Sequence, residues 1–328
     1  MNTNVEYISY TDAVRDTLSY AMSNNKDVFV MGQGVNDQIG MFGMTNNLEE
    51  LYGSDRCFDT PLSEAGMAGI AVGAAMAGKH PVYFHNRPDF MILCFDQLIN
   101  HASKIHYMSG GQFSVPFIMW GVTGQGWGSA AQHSQTIQGM LMHVPGIKIA
   151  MPTTPYDVKG LLNSALDDNN PVVFLDHRKV HGQNQEVPKE YYKIPFGEGV
   201  IRKSGNDVTV VAVSTMVEES LKAADKLKEQ GISVEVIDLR TIKPYDKKII
   251  CESVRKTKNL VVVDTGWKCC GFATEVASSI YEEMFDVLER PVQIVALPDV
   301  PTPAAYNLED DFYVSSDDVY EKIKNMFM

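Results

Sequence analysis

Short β-branched runs alternate with amphipathic stretches of helical period through nearly the whole chain, the pattern of an α/β fold with largely parallel sheets. In the first part this pattern predicts strands at residues 28–31, 81–84, 115–119, 147–151 and 172–175. Helices are predicted at 10–24, 63–77, 90–107, 134–143 and 156–167. From 181 to 199 the periodicity lapses into a polar segment containing Pro188 and Pro195, which reads as a linker. A second α/β unit follows, with strands at 208–213, 233–238, 260–264 and 292–296. Its helices are predicted at 216–230, 246–255, 272–285 and from 316 to the last residues. Two parallel-sheet domains are therefore expected, one over residues 1–190 and one over 191–328.

One predicted helix is unusual. Between Ala65 and Gly78 nearly every residue is Ala, Gly or a small apolar side chain. Each Gly costs a helix up to ~1 kcal/mol relative to Ala, so several together need a packing reason. Two readings stay open: tight packing on the chain's own sheet, or a helix at a subunit interface beside a site.

Length and charge narrow the field. A chain of 328 residues can bury two full cores. Its net charge of −13, with no basic stripe, argues against a nucleic-acid partner. No run approaches the ~20 apolar residues of a membrane helix, and the first ten residues lack the basic and apolar regions of a signal peptide. The five cysteines are odd in number and scattered, which speaks against a disulfide framework. Cys269 and Cys270 are adjacent but have no second pair at zinc spacing, so they read as semi-buried thiols in a reducing compartment. The expectation is a cytoplasmic protein.

Few residues stand out as chemistry. Glu64 falls in the first turn of the Ala/Gly-rich helix, with Ser63 as its expected N-cap. A carboxylate there answers the helix dipole. Against a long apolar surface it is also poorly solvated, the setting in which carboxyl groups exchange protons near neutrality. His133 sits in Ala-Ala-Gln-His-Ser-Gln after the Gly-rich loop 124–128, and imidazole suits proton transfer near neutral pH. His85, at a strand end, is a second candidate; His101 and His106 read as packing or surface residues. Phe90, with Met91 and Ile92, reads either as a platform for a flat ring or as plain core. Gly110-Gly111 and Gly197-Glu198-Gly199 lack both the Walker and the Rossmann spacing and read as turns.

Over almost its whole length the chain resembles the beta subunit of the thiamine-diphosphate-dependent first component of 2-oxo acid dehydrogenase complexes, such as pyruvate dehydrogenase, within the transketolase superfamily. The matching stretches are 59–78, Asp96-Gln97 with 107–112, and 130–135. They continue through Pro145-Gly146, 168–172, 237–241 and 298–301. The resemblance implies a pyrimidine-binding domain followed by a transketolase C-terminal domain, in an α2β2 assembly. No Gly-Asp-Gly followed some two dozen residues later by Asn occurs here. The resemblance accounts for this by placing the diphosphate and Mg2+ on a partner alpha subunit.

By the same resemblance, Glu64 matches the glutamate that hydrogen-bonds the aminopyrimidine ring and promotes proton loss from the thiazolium. Phe90 matches the aromatic that packs on that ring. His133 matches the active-site histidine that handles protons or the acyl acceptor. Ala165, Leu166, Asp168 and Asn170 match a loop that in some relatives binds K+ largely through backbone oxygens.

The chain departs from the family pattern beside these residues. Where pyruvate dehydrogenase beta subunits read Glu-Phe-Met-Thr-Phe-Asn-Phe, it has Phe84-His85-Asn86-Arg87-Pro88-Asp89-Phe90. The family's Arg-Gly before the next loop is Trp120-Gly121, and its later Glu-Gly is Thr265-Gly266. The resemblance thus implies decarboxylation of a 2-oxo acid and leaves the acceptor open. A dehydrogenase component would pass the acyl unit to a lipoyl acyltransferase core. A two-carbon transferase or carboligase would pass it to a sugar or secondary metabolite. The reading of another class, a non-catalytic scaffold subunit, is opposed by the presence of both Glu64 and His133.

Overall fold

Ser9 ends the first strand, β1 (Val5–Ser9), and caps the first helix, α1 (Tyr10–Asn24), where its hydroxyl accepts the Asp12 N–H at 3.1 Å. That bond satisfies one of the open donors of a helix start. The apolar stripe Tyr10, Ala13, Val14 and Leu18 is then fully buried. The computed structural model describes residues 4–125 and 128–328, and contacts divide the chain into two units. The first holds the chain up to Gly124 together with Val144–Phe196; the second holds Gln125–His143 and Gly197–Met328.

In the first unit the chain continues through β2 (Val28–Gly32), α2 (Leu48–Tyr52), β3 (Cys57–Phe58), α3 (Glu64–Met76) and β4 (His80–His85). Next come α4 (Pro88–Met91), α5 (Ser103–Met108) and β5 (Ile118–Thr123). A helix of the second unit, α6 (Gln138–Met142), intervenes before β6 (Lys148–Ala150), α7 (Pro155–Leu166), β7 (Val172–His177) and β8 (Asn184–Pro188). Six strands of this unit lie in the order β6-β7-β5-β4-β2-β3, all parallel. Every residue of β4, β5 and β7 is buried, as expected of parallel strands covered on both faces.

In the second unit β9 (Val200–Lys203), β10 (Val208–Ala212), α8 (Thr215–Lys228), β11 (Val234–Asp238), β12 (Thr241–Lys243) and α9 (Lys247–Thr257) come first. They are followed by β13 (Leu260–Trp267), α10 (Phe272–Met284), β14 (Gln293–Leu297), α11 (Tyr306–Phe312) and α12 (Ser316–Phe327). Five strands run β14-β13-β10-β11-β9, parallel except for β9 at one edge. Here the predicted strands and helices agree with the structure to within a few residues.

Four of the readings for residues up to 199 differ from the structure. The single helix expected at 90–107 is broken into α4, a 3-10 turn at Ile92–Cys94, a π-helical stretch at Asp96–Ala102, and α5. Hydrophobic periodicity does not distinguish these hydrogen-bond patterns. The strand expected at 115–119 begins at Ile118 instead, after Pro116, which has no N–H to donate. The helix expected at 134–143 shortens to α6. Finally, the polar stretch read as a linker contains β8, which pairs antiparallel with β1 from Val5↔Pro188 to Ser9↔Asn184. Among the residues of β8 only Val187 is buried, so it carries little apolar signal.

The Ala/Gly-rich helix α3 shows what its glycines are not for. A Cβ added at Gly66 or Gly73 would meet nothing within 4 Å, and Ile70 on the same helix is 60% exposed. Tight packing on the chain's own sheet therefore does not explain these two glycines. Gly32 is the opposite case: its φ is 148°, and a Cβ would fall 2.4 Å from the Phe84 carbonyl oxygen of the neighbouring strand. No helix among the described residues is long and apolar enough to cross a membrane.

These environments predict opposite signs for the same substitution. Gly32→Ala should destabilise the chain by roughly 1–3 kcal/mol, the scale of enforced backbone strain. Gly66→Ala should stabilise it by up to ~1 kcal/mol through helix propensity alone. Chemical denaturation of the full chain measures both, and a destabilised Gly66→Ala would mean that the helix face is already in contact.

Candidate active site

In open α/β sheets ligands gather outside the carboxyl ends of the strands. At that edge of the first unit, Glu64 is the first residue of α3 and only 8% exposed. The expected cap is only positional, since Ser63 precedes the helix but its side chain makes no capping bond. Gln33, the residue after β2, donates from Nε2 to Glu64 Oε1 at 3.3 Å. Among the described residues no cation pairs with this carboxylate. A buried carboxylate with one long hydrogen bond has acceptor capacity to spare for a donor from outside the chain.

Behind Glu64 lies a chain of weak polar contacts. The Cys94 sulfur is 3.4 Å from the Glu64 carbonyl oxygen and 3.4 Å from His85 Nε2. His85 Nδ1 is 3.3 Å from the Trp120 carbonyl oxygen. A carbonyl can only accept, so Nδ1 carries the proton and Nε2 presents its lone pair to the thiol. Burial lowers the His85 pKa to about 4, and burial aided by Glu64 raises the Cys94 pKa to about 12. Both groups are therefore neutral near pH 7 and add no charge beside the carboxylate, and the one thiol proton serves either His85 or the Glu64 carbonyl. Tyr83 stacks obliquely on His85 with ring centroids 4.1 Å apart, and burial pushes its hydroxyl well above the usual phenol range.

Phe90 is half-buried in α4. Its neighbour Met91 is fully buried, and a Cβ added at Gly121 would reach within 2.2 Å of the Met91 sulfur. Met91 is thus core, while Phe90 keeps part of its surface open. His85 was legible from its place at a strand end. Gln33 and Cys94 carried no sequence signal, because their relation to Glu64 arises only when β2 and the 3-10 turn after α4 are brought beside α3.

His133 belongs to the second unit, where it is exposed. Its N–H donates to the Ala130 carbonyl at 3.4 Å, closing a turn in which Ala130 has a left-handed φ of 57°. After the turn, Thr136 donates to the Thr265 carbonyl at 3.2 Å and Gln138 to Asp264 at 2.7 Å. These bonds anchor the segment to β13. Gly126 and Trp127 of the preceding Gly-rich loop lie outside the described residues.

The stretch 165–170 spends its polar groups internally. The Ala165 carbonyl accepts the N–H groups of Asp167 and Asp168, and Asp168 accepts the Asn170 N–H at 3.0 Å. Asp168 also pairs with the Lys148 ammonium, which puts a protein cation where the resemblance places K+. Leu166 ends α7 beside these groups. Among the described residues no group of three or more His, Cys, Asp or Glu side chains could hold a metal ion. Cys269 and Cys270 are exposed rather than semi-buried. Gly110 and Gly111 form the expected turn, with φ of 62° and 84°.

A groove of 1610 Å³ in the second unit is lined by Gln138, Asp264, Trp267 and Cys270 among others, and by none of the site residues expected from sequence. Burial raises the pKa of Asp264 there, against the hydrogen bonds from Gly266, Gln138 and Ala273.

Comparison with known proteins agrees with this geometry. Residues 6–182 match the family described as the transketolase pyrimidine binding domain, and residues 197–319 the transketolase C-terminal domain. The pyruvate dehydrogenase E1 component subunit beta of Rickettsia felis is 42% identical over 97% of this chain and 98% of its own length. The beta subunit of acetoin:2,6-dichlorophenolindophenol oxidoreductase from Bacillus subtilis is 37% identical over 95% of each. A solved structure described as a split gene transketolase, inactive beta4 tetramer, superposes with a TM-score of 0.78 over 97% of this chain and 98% of that one. At 20% identity it speaks for the fold. The chain belongs to the family of 2-oxo acid dehydrogenase first-component beta subunits, thiamine-diphosphate-dependent proteins built from these two transketolase domains.

Proposed function

We propose that this chain supplies the aminopyrimidine end of a thiamine diphosphate site and, with an alpha subunit, decarboxylates a 2-oxo acid. The observation that carries the reading is Glu64, a buried carboxylate with no cation and one long hydrogen bond. Such a group suits the ring nitrogen of an aminopyrimidine, which can present an N–H to it. Half-buried Phe90 offers an apolar face for the same ring. The fit concerns the ring end alone; the diphosphate and Mg2+ are assigned to the alpha subunit. In this reading residues 1–190 are the pyrimidine-binding domain and 191–328 the C-terminal domain.

When bound, thiamine diphosphate supplies the carbon nucleophile and the electron sink for decarboxylation. The chain's own part is to place protons. Glu64 shares a proton with the ring nitrogen and so sets which tautomer the ring adopts. Gln33 orients the carboxylate through its 3.3 Å bond, and the Cys94 thiol can donate to the Glu64 carbonyl at 3.4 Å. His133 is assigned the later proton transfers on the substrate, a role suited to an exposed imidazole.

The open face of α3, with Gly66, Gly73 and Ile70, is assigned to contact with the alpha subunit in an α2β2 assembly. Small residues let a second backbone approach closely. The product acyl unit would pass to a lipoyl acyltransferase core or to a small-molecule acceptor. We do not place K+ at Ala165, Leu166, Asp168 and Asn170, because Lys148 already neutralises Asp168 and the Ala165 carbonyl already takes two N–H groups.

Three measurements on the chain reconstituted with its alpha subunit test the reading. Glu64→Gln keeps the shape and removes the exchangeable proton, so turnover should fall at least ~100-fold with folding intact. Near-wild-type turnover in that variant would return Glu64 to a helix-start role. His133→Ala should leave proton exchange at thiazolium C2 nearly unchanged while turnover falls by roughly 10²–10⁴. Loss of C2 exchange would instead place His133 in cofactor activation. Gly73→Leu should leave the thermal stability of the isolated chain within about 1 kcal/mol of wild type and weaken its association with the alpha subunit. Undiminished association, measured by sedimentation, would remove α3 from the interface.

A further inference from the structure

Phe42 lies in the long connection after β2 with a φ of 51°, a left-handed backbone that bulky residues rarely adopt. Neighbouring bonds hold it there. The Thr45 hydroxyl accepts the Met41 N–H at 2.7 Å and donates to the Val35 carbonyl at 2.7 Å. Strain kept in place by surrounding bonds is a common mark of a site.

Two guanidinium groups converge on the Phe42 ring. Arg87, two residues beyond β4, lies 5.7 Å from the ring centroid, and Arg178, the first residue beyond β7, lies 5.1 Å from it. All three side chains are half-buried. The His181 imidazole flanks the ring at 6.1 Å, with its Nε2 committed to Asp176 at 2.5 Å. The other Asp176 oxygen accepts the Trp120 indole N–H at 2.9 Å, so Asp176 is occupied.

Arg87 is partly provided for, its Nη1 donating to the Asn86 carbonyl at 2.6 Å. Asp89 lies near Arg87 and favours its charge, while Arg178 opposes it. Arg178 makes no side-chain hydrogen bond or ion pair with any described residue. Its five N–H donors are half out of water with only an aromatic ring beside them. Arg178 is therefore the guanidinium with donors open to an anion at this ring, and Arg87 adds a second positive charge beside it.

The place is informative too. Arg87 is two residues from His85, which reaches Glu64 through Cys94, so the pair belongs to the same sheet edge as the proposed cofactor carboxylate. Arg87 also stands where pyruvate dehydrogenase beta subunits carry Thr.

We propose that Arg87 and Arg178 form a binding site for an anionic group, carboxylate or phosphate, carried by the substrate or acceptor in addition to the carboxylate that is lost. The inference rests on the decarboxylase reading above and specifies the substrate class for that site. The leaving carboxylate itself is a poor occupant. Two guanidiniums would stabilise it as a charged ground state and so raise the barrier to its departure as neutral carbon dioxide. A remote anion binds equally before and after decarboxylation, and guanidinium forks match both carboxylate and phosphate.

The test is calorimetry on the full chain without thiamine diphosphate, with inorganic phosphate, glutarate and acetate as probes at constant ionic strength. Phosphate or glutarate should bind the wild-type chain, and Arg178→Gln and Arg87→Gln should each weaken that binding roughly tenfold or more. Preference for phosphate over glutarate assigns a phosphorylated ligand; the reverse assigns a dicarboxylate. The proposal is overturned if neither probe binds the wild type, or if both variants bind as well as it does. It is also overturned if thiamine diphosphate, but not thiamine, displaces the probe, which would give the pair to the cofactor's diphosphate. Glu64→Gln should bind phosphate normally, so failure of the cofactor reading and failure of this one are distinguishable.

Discussion

A carboxylate buried without a counter-ion is the constraint around which the first unit is arranged. Removing a charge from water is expensive unless hydrogen bonds or an opposite charge replace the solvent. Glu64 has neither in full measure: one bond from Gln33 at 3.3 Å and a position at the start of α3, where the helix dipole favours negative charge. The nearby His85 is kept neutral by its own burial, and Cys94 stays a thiol. The site is therefore short of a donor, which the proposed aminopyrimidine N–H would supply.

The parallel sheet makes that arrangement possible. Gln33 follows β2, His85 ends β4, and Arg178 follows β7, so residues far apart in the chain emerge at one edge. Gly32 lets β2 and β4 approach closely just before Gln33, because a side chain at that position would strike the Phe84 carbonyl. Phe42 lies in the connection that Gln33 begins, and the two arginines beside it follow β4 and β7 on the same edge. One edge thus offers a carboxylate with acceptor capacity to spare and, at Arg178, a guanidinium with donors to spare. That pairing of opposite demands fits a bipolar ligand set more readily than a scaffold role.

Part of the proposed site was readable in the sequence alone. Glu64, Phe90 and His133 stood out because each lies in a short stretch with a recognisable pattern, and His85 because it ends a strand. Gln33, Cys94 and Arg178 gave no such signal. Each matters through what it touches: Gln33 through Glu64, Cys94 through His85 and the Glu64 carbonyl, Arg178 through Phe42. Contacts between residues 31 or 136 positions apart have no local periodicity to reveal them.

The sequence by itself determined the α/β class, the two-unit organisation and the main strands and helices of the second unit, though not β9, β12 or α11. Continuous β-branched runs and amphipathic helices are local consequences of burial on two faces or one. Only the tertiary structure decided the break-up of residues 90–107 into α, 3-10 and π turns, the pairing of β8 with β1, and the assignment of Gln125–His143 to the second unit. These depend on hydrogen-bond partners supplied from elsewhere in the chain, which side-chain polarity does not encode. The same holds for the glycines of α3. Their composition left two packing readings open, and the open space at Gly66 and Gly73 set aside packing on this chain's own sheet.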